Sequence, residues 1–115
     1  MMVDRNVLPP RRAAETFDLP FGGLNRNHAV TVGYYDDGRL GEVFITGGKS
    51  GEAVEAVARD GAVLLSLALQ YGVPLETVAR AITRDSQNQP SSIIGAVVDR
   101  LLVKETGDGG TDAEP

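Results

Sequence analysis

Asp37-Gly38, set between two runs of β-favouring residues, constrains this chain more than any other feature. The stretch HAVTVGYYDDGRLGEVFIT spans residues 28–46. Asp-Gly suits a type I′ turn, whose two central residues need positive φ. A turn there sets a register in which Asp36 faces Arg39, Tyr34 faces Gly41, Val32 faces Val43 and Val30 faces Ile45. One face then carries Val30, Val32, Tyr34, Val43 and Ile45 and is apolar. The other carries Thr31, Gly33, Tyr35, Leu40, Glu42 and Phe44 and is mixed, as in an antiparallel sheet with one wet side. Tyr35, Leu40 and Phe44 make an apolar interface patch on that face, to be covered by the N-terminal arm or by a partner subunit.

The hairpin is followed by three helical patterns. Residues 51–71 read as one long helix, with Val54, Val57, Gly61, Leu64, Leu65 and Ala68 recurring at spacings of three and four. Glu52, Glu55 and Arg59 mark a wet face in its first half. From Ala62 to Leu69 only Ser66 interrupts the apolar residues, so that half is expected to be buried on most sides; with the hairpin patch this is more burial than a small monomer needs, which points to a homodimer. Gly72 suits the position just after a helix, and Pro74 the first turn of the next. The second helix runs from Pro74 to about Thr83, with Leu75, Val78, Ala79 and Ile82 on one face. A loop follows at 85–90. Ser91 or Ser92 caps a third helix whose stripe is Ile93, Ile94, Val97, Val98, Leu101 and Leu102. AAETFDL at 13–19 is a further candidate strand, ended by Pro20. Strands followed by helices give an α+β domain: a small antiparallel sheet with three helices packed on it, the long one central.

Residues 1–12, with Pro9-Pro10, read as an extended arm, 13–103 as a single domain, and 104–115 as a disordered acidic tail. The tail holds one base and four acids, so most of the formal charge of −5 lies there. A near-neutral folded part argues against broad binding of nucleic acid or of an anionic membrane. No apolar run is long enough to span a bilayer, and the N-terminus does not read as a signal peptide, so a cytoplasmic protein is expected. The chain has no cysteine and one histidine, His28. That removes thiolate chemistry and cysteine or histidine-rich metal sites, so no metal or cofactor is expected. No Ser/His/Asp set or acid pair suggests an active site.

ITGGKSGEA, residues 45–53, invites a phosphate-binding reading. Gly47, Gly48 and Gly51 supply flexibility, Lys49 charge and Ser50 a hydroxyl at a helix start. The full P-loop needs a glycine where Val43 stands, inside a strand, so an ATPase loop is rejected. What remains is a strand-to-helix turn capped by Ser50, or an anion site joined by Arg11 and Arg12.

Four segments together, LPPRRAAET, YYDDGRLGEVFITGGKSGEA, LLSLALQYGVPLETV and SSIIGAVVDRLL, resemble the TSCPD domain. DGRLGEVFI and SLALQYGVPLE are the strongest pieces, and the likeness covers residues 8–102. That domain is found toward the C-terminus of adenosylcobalamin-dependent (class II) ribonucleotide reductases and in small free-standing proteins, the form expected here. The resemblance brings neither the reductase barrel nor its radical-site cysteines, and transfers no catalytic residue. It implies a relative of a reductase accessory domain that is not itself an enzyme. The leading expectation is a non-catalytic interaction or regulatory module. Its partner is a second copy, making a homodimer, or another protein such as a reductase subunit. The alternative is a nucleotide or phosphometabolite sensor working through GGKSG. DNA binding ranks third. The loop of about seven residues between helices two and three exceeds the usual three to four. SSIIGAVV also offers no base-reading Arg or Lys.

Overall fold

The computed structural model describes residues 4–23, 26–47 and 52–106. Three strands, β1 (Ala14–Pro20), β2 (Asn27–Tyr34) and β3 (Leu40–Gly47), form an antiparallel sheet in the order β1-β2-β3. Three helices follow: α1 (Glu52–Gln70), α2 (Leu75–Ala81) and α3 (Ile93–Thr106). The α+β class is as expected, and the candidate strand at 13–19 is β1. The chain divides into two compact units after Val73.

The hairpin pairs Val32 with Val43 and Val30 with Ile45, as the alternation requires. These four side chains lie on one face and are almost wholly buried. The turn differs from the expected one. Gly38 alone of the turn residues has positive φ, at 90°; Asp37 does not. The loop is three residues, Asp36 to Gly38, and Tyr35 N–H donates to Arg39 O at 2.8 Å. Such a loop ends on a glycine in the left-handed region. Asp37 is suited to it by its carboxylate, which accepts the Arg39 N–H at 3.0 Å and pairs with Arg39 Nε at 2.7 Å. These bonds, the backbone one first, hold its carboxyl below the usual range.

The longer loop slips the register by one residue, and a bulge restores it. Gly33 pairs with Glu42 but Tyr34 pairs with Leu40, which leaves Gly41 over. Burial at the two tyrosines is also exchanged. Tyr35 is buried and Tyr34 is half-buried, the reverse of the expected assignment. A Cβ on Gly41 would lie 2.6 Å from Leu8 Cδ2 and 2.7 Å from Tyr35 Cε2, so only glycine admits this packing.

α1 lies along β3, the edge strand. It buries Ala58, Ala62, Leu65, Ser66 and Gln70. This is not the expected stripe: of Val54, Val57, Gly61, Leu64, Leu65 and Ala68, only Leu65 is fully buried. A helix apolar nearly all round has several stripes at helical spacing, and hydrogen bonding selects among them. Ser66 Oγ accepts the Val43 N–H at 2.8 Å, and Gln70 Nε2 donates to Gly41 O at 2.9 Å. Both protein groups point away from β2, where an edge strand has no strand partner. Gly72 has φ 91° and ends the helix as expected. Its N–H reaches Leu69 O, and Val73 N–H reaches Ala68 O, both at 3.0 Å.

In the second unit α2 pairs with α3. Pro74 is the N-cap rather than a first-turn residue, and α2 stops at Ala81, slightly short of the expected end. Of the two serines before α3, Ser92 caps it, its Oγ accepting the Gly95 N–H at 3.1 Å. Ile93, Val97, Val98 and Leu101 are buried as expected, while Ile94 and Leu102 are half-buried. Arg84 closes the unit with two parallel bonds to Asp99, NH2 to Oδ1 at 2.7 Å and NH1 to Oδ2 at 2.9 Å. Those bonds hold the Asp99 carboxyl below its usual range. The pair therefore contributes fully at pH above that of an ordinary carboxylate, about 3.9, and its contribution fades as pH falls through the lower folded value. Asp99→Asn is expected to lower the urea midpoint at neutral pH, with the gap to wild type narrowing in acid. An equal gap at both pH values would contradict the assignment.

Candidate functional site

The arm before β1 is fastened to the first unit. Asn6 N–H donates to Gln70 O at 2.8 Å, and Arg5 Nε to Gln70 Oε1 at 2.6 Å. The Tyr35 hydroxyl donates to Asn6 O, and Leu8 is buried beside Gly41. Farther along, Arg12 Nε meets Glu42 Oε2 at 2.6 Å, its NH2 meets Oε1 at 3.3 Å, and its NH1 donates to Pro9 O. Glu42 reaches Arg12 by crossing Gly33, the residue opposite it, where a side chain would collide. Gln70 is thus the junction of arm, helix and strand, tied to all three by its main chain and both side-chain polar atoms.

This placement decides what the expected sites can do. Of the phosphate set, Gly47 ends β3 with φ 88°, close against Asn27 O. Gly48, Lys49, Ser50 and Gly51 lie outside the described residues. Arg11 is exposed, but the Arg12 guanidinium is already held by a carboxylate and a carbonyl. Of the interface trio, Tyr35 is covered by the arm, Leu40 is half-buried and Phe44 is half-exposed. Of the three, the arm is seen to cover Tyr35. His28 is buried on the apolar side of β2, and its Nδ1 has no partner among the described residues. Among the described residues no group of three or more His, Asp or Glu could hold a metal ion, and no helix is long and apolar enough to cross a membrane.

The apolar surface lies elsewhere. On the side of α1 away from Ser66, Val57 is 70% exposed and Leu64 67%. Val54, Val63 and Tyr71 are each about half exposed. Phe44 joins Val63 and Leu67 around a shallow hollow of about 170 Å³ between β3 and α1. A drug-sized ligand needs ~300 Å³ or more, so the hollow suits a protruding side chain better than a nucleotide. The second unit has a wider trough, about 700 Å³, beside Arg84 and Asp99, whose charges neutralise each other. The sequence marks this helix as more apolar than a small monomer needs, but it does not show which residues stay exposed, and Val54, Val57 and Leu64 were expected on the buried stripe. The signal was present: a helix with more apolar faces than one packing partner can cover.

The family model for the TSCPD domain matches residues 3–103. The chain is 42% identical over 85 residues to a vitamin B12-dependent ribonucleotide reductase of Bradyrhizobium diazoefficiens, a match covering 72% of this chain and 6% of that protein. To the Agrobacterium fabrum protein of the same name it is 43% identical over 82 residues, covering 70% of this chain and 6% of the relative. To that of Rhodopirellula baltica it is 33% identical over 104 residues, 84% of this chain and 10% of the relative. The chain therefore spans a tenth or less of these relatives. No solved structure gives a significant match. With the match running from the arm to α3, residues 3–103, the chain belongs to the TSCPD domain family.

Proposed function

We propose that this chain is a non-catalytic interaction and regulatory module that acts through protein–protein contacts. The outward apolar side of α1 carries the reading. Monomers seldom expose contiguous apolar patches beyond a few hundred Å², and larger ones mark interaction surfaces. Here the patch sits on a helix whose other side is hydrogen-bonded to the sheet edge, so it is presented rigidly. The absence of cysteine from all 115 residues supports the non-catalytic part, because thiol radical chemistry needs thiols. Kinship with part of a vitamin B12-dependent ribonucleotide reductase makes such an enzyme the first heterologous partner to test. A cytoplasmic setting fits that kinship.

The test is to titrate the purified chain into a vitamin B12-dependent ribonucleotide reductase while following binding and ribonucleotide reduction. Saturable binding with a changed turnover is expected, and no reduction by the chain alone. Turnover by the chain alone would overturn the reading. So would deoxynucleotide stabilisation of the chain that is lost in Lys49→Ala, since the GGKSG turn would then make it a sensor.

A further inference from the structure

α1 turns about 100° per residue. Ser66 and Gln70 therefore fix one side of it to β3, and Val57 and Leu64 face away. Val54, Val57, Gly61, Leu64, Ala68 and Tyr71 recur at alternating spacings of three and four, the spacing of a helix-pairing seam. Gly61 and Ala68 are half-buried, and the larger four are the exposed ones. We infer that this seam binds the same seam of a second copy, with the two α1 helices antiparallel about a two-fold axis. The inference rests on the interaction-module reading and names one partner for it.

Steric self-complementarity selects the partner and the orientation. With the axis between residues 62 and 63, Val54 lies opposite Tyr71 of the second copy, Val57 opposite Ala68 and Gly61 opposite Leu64. Each larger side chain meets a smaller one, and the symmetry repeats every pairing. A parallel pair would set Gly61 against Gly61 and Tyr71 against Tyr71, leaving a void at one level and crowding at the other. The area suits a reversible pair. The four exposed large side chains of the seam offer roughly 100 Å² each, so two copies bury ~800 Å² from these alone, the size of a weak, transient interface. A weak dimer, populated toward the upper end of protein concentration, is expected at that size.

Charge argues against other occupants. Asp60 is the one charged residue on the outward side of α1 between residues 53 and 71. Helices that lie on anionic lipid carry Lys and Arg beside the apolar stripe. A nucleic acid would likewise find no cation there.

Sedimentation equilibrium of the full chain, from micromolar to millimolar, is expected to show a reversible dimer. Leu64→Glu, at an exposed position, should weaken it by at least about ten-fold without lowering the melting temperature of the monomer, measured at a concentration where wild type is undimerised. Val57→Glu should do the same, which guards against one variant misfolding. The chain has no cysteine of its own, so Val57→Cys and Ala68→Cys report orientation cleanly. Mixed and oxidised, they should form the disulfide-linked heterodimer, while Val57→Cys alone should not cross-link. A monomer at every concentration, dimers unaffected by either Glu variant, or efficient Val57→Cys homodimers would each overturn the inference. Reductase binding by a chain found monomeric would leave the module reading standing and remove only the second copy.

Discussion

Ser66→Ala is expected to cost the protein about 1–3 kcal/mol, although alanine is the better helix former. The Ser66 hydroxyl is buried between α1 and β3. Its oxygen accepts the Val43 N–H at 2.8 Å, and its single proton is shared between Ala62 O at 2.8 Å and Val43 O at 3.1 Å. Alanine removes one oxygen and leaves the Val43 N–H buried without a partner. The loss is that of an unmade bond in a dry place, the expensive kind. Against a total stability of ~5–15 kcal/mol it is large. Urea melts would show the drop, and hydrogen exchange would show loss of protection at the Val43 amide. The variant should also aggregate more readily, because an uncovered edge strand is a template for strand pairing. A variant that melts like wild type with the Val43 amide still protected would mean that burial alone holds the edge.

Much of the fold was legible because alternation and turn residues act locally. Val30, Val32, Val43 and Ile45 define the buried face whatever the turn does. The turn was misread for an instructive reason. A two-residue loop with no bulge and a three-residue loop with one extra strand residue give the same register beyond Gly41, so core alternation cannot tell them apart. The difference falls on the loop end of the hairpin, where Leu40 instead of Gly41 pairs with Tyr34; the arm, through Asn6 and Leu8, then buries Tyr35. Ser66 looked like an interruption in an apolar run. Its role depends on Val43, 23 residues away, and no helical period encodes that. The two segments that most strongly carried the family resemblance, DGRLGEVFI and SLALQYGVPLE, hold Gly41, Val43, Ser66 and Gln70. The structure joins the two segments by hydrogen bonds. The excess apolar character of α1 was legible, but its exposed residues were not, for the complementary reason: apolar character signals burial, and only the packing shows which side is left without a neighbour.

Leu8→Ala is the second large effect, about 2–4 kcal/mol, the usual range for a buried leucine truncated to alanine. It should also do what a truncation elsewhere in the core would not: loosen the arm. Leu8 is the buried apolar anchor between two polar ties, Asn6 with Gln70 on one side and Arg12 with Glu42 on the other. Hydrogen bonds at a surface add little once the apolar contact that shields them is gone. The variant should therefore be cut by trypsin at Arg5 and Arg11 under conditions where the rest of the domain stays folded, and Tyr35 should become accessible. Gln70→Ala attacks the same strap from the helix side, so the double variant should lose less stability than the two single losses together. Full additivity would mean that Leu8 and Gln70 stabilise separate parts of the unit. Destabilisation without faster cleavage would make Leu8 a filler of the Gly41 bulge, with the arm held by Arg12 and Glu42. Sub-additive losses with early cleavage would establish the arm, the bulge and the end of α1 as one cooperative clasp. That clasp fixes α1 against the sheet edge with its outward side exposed.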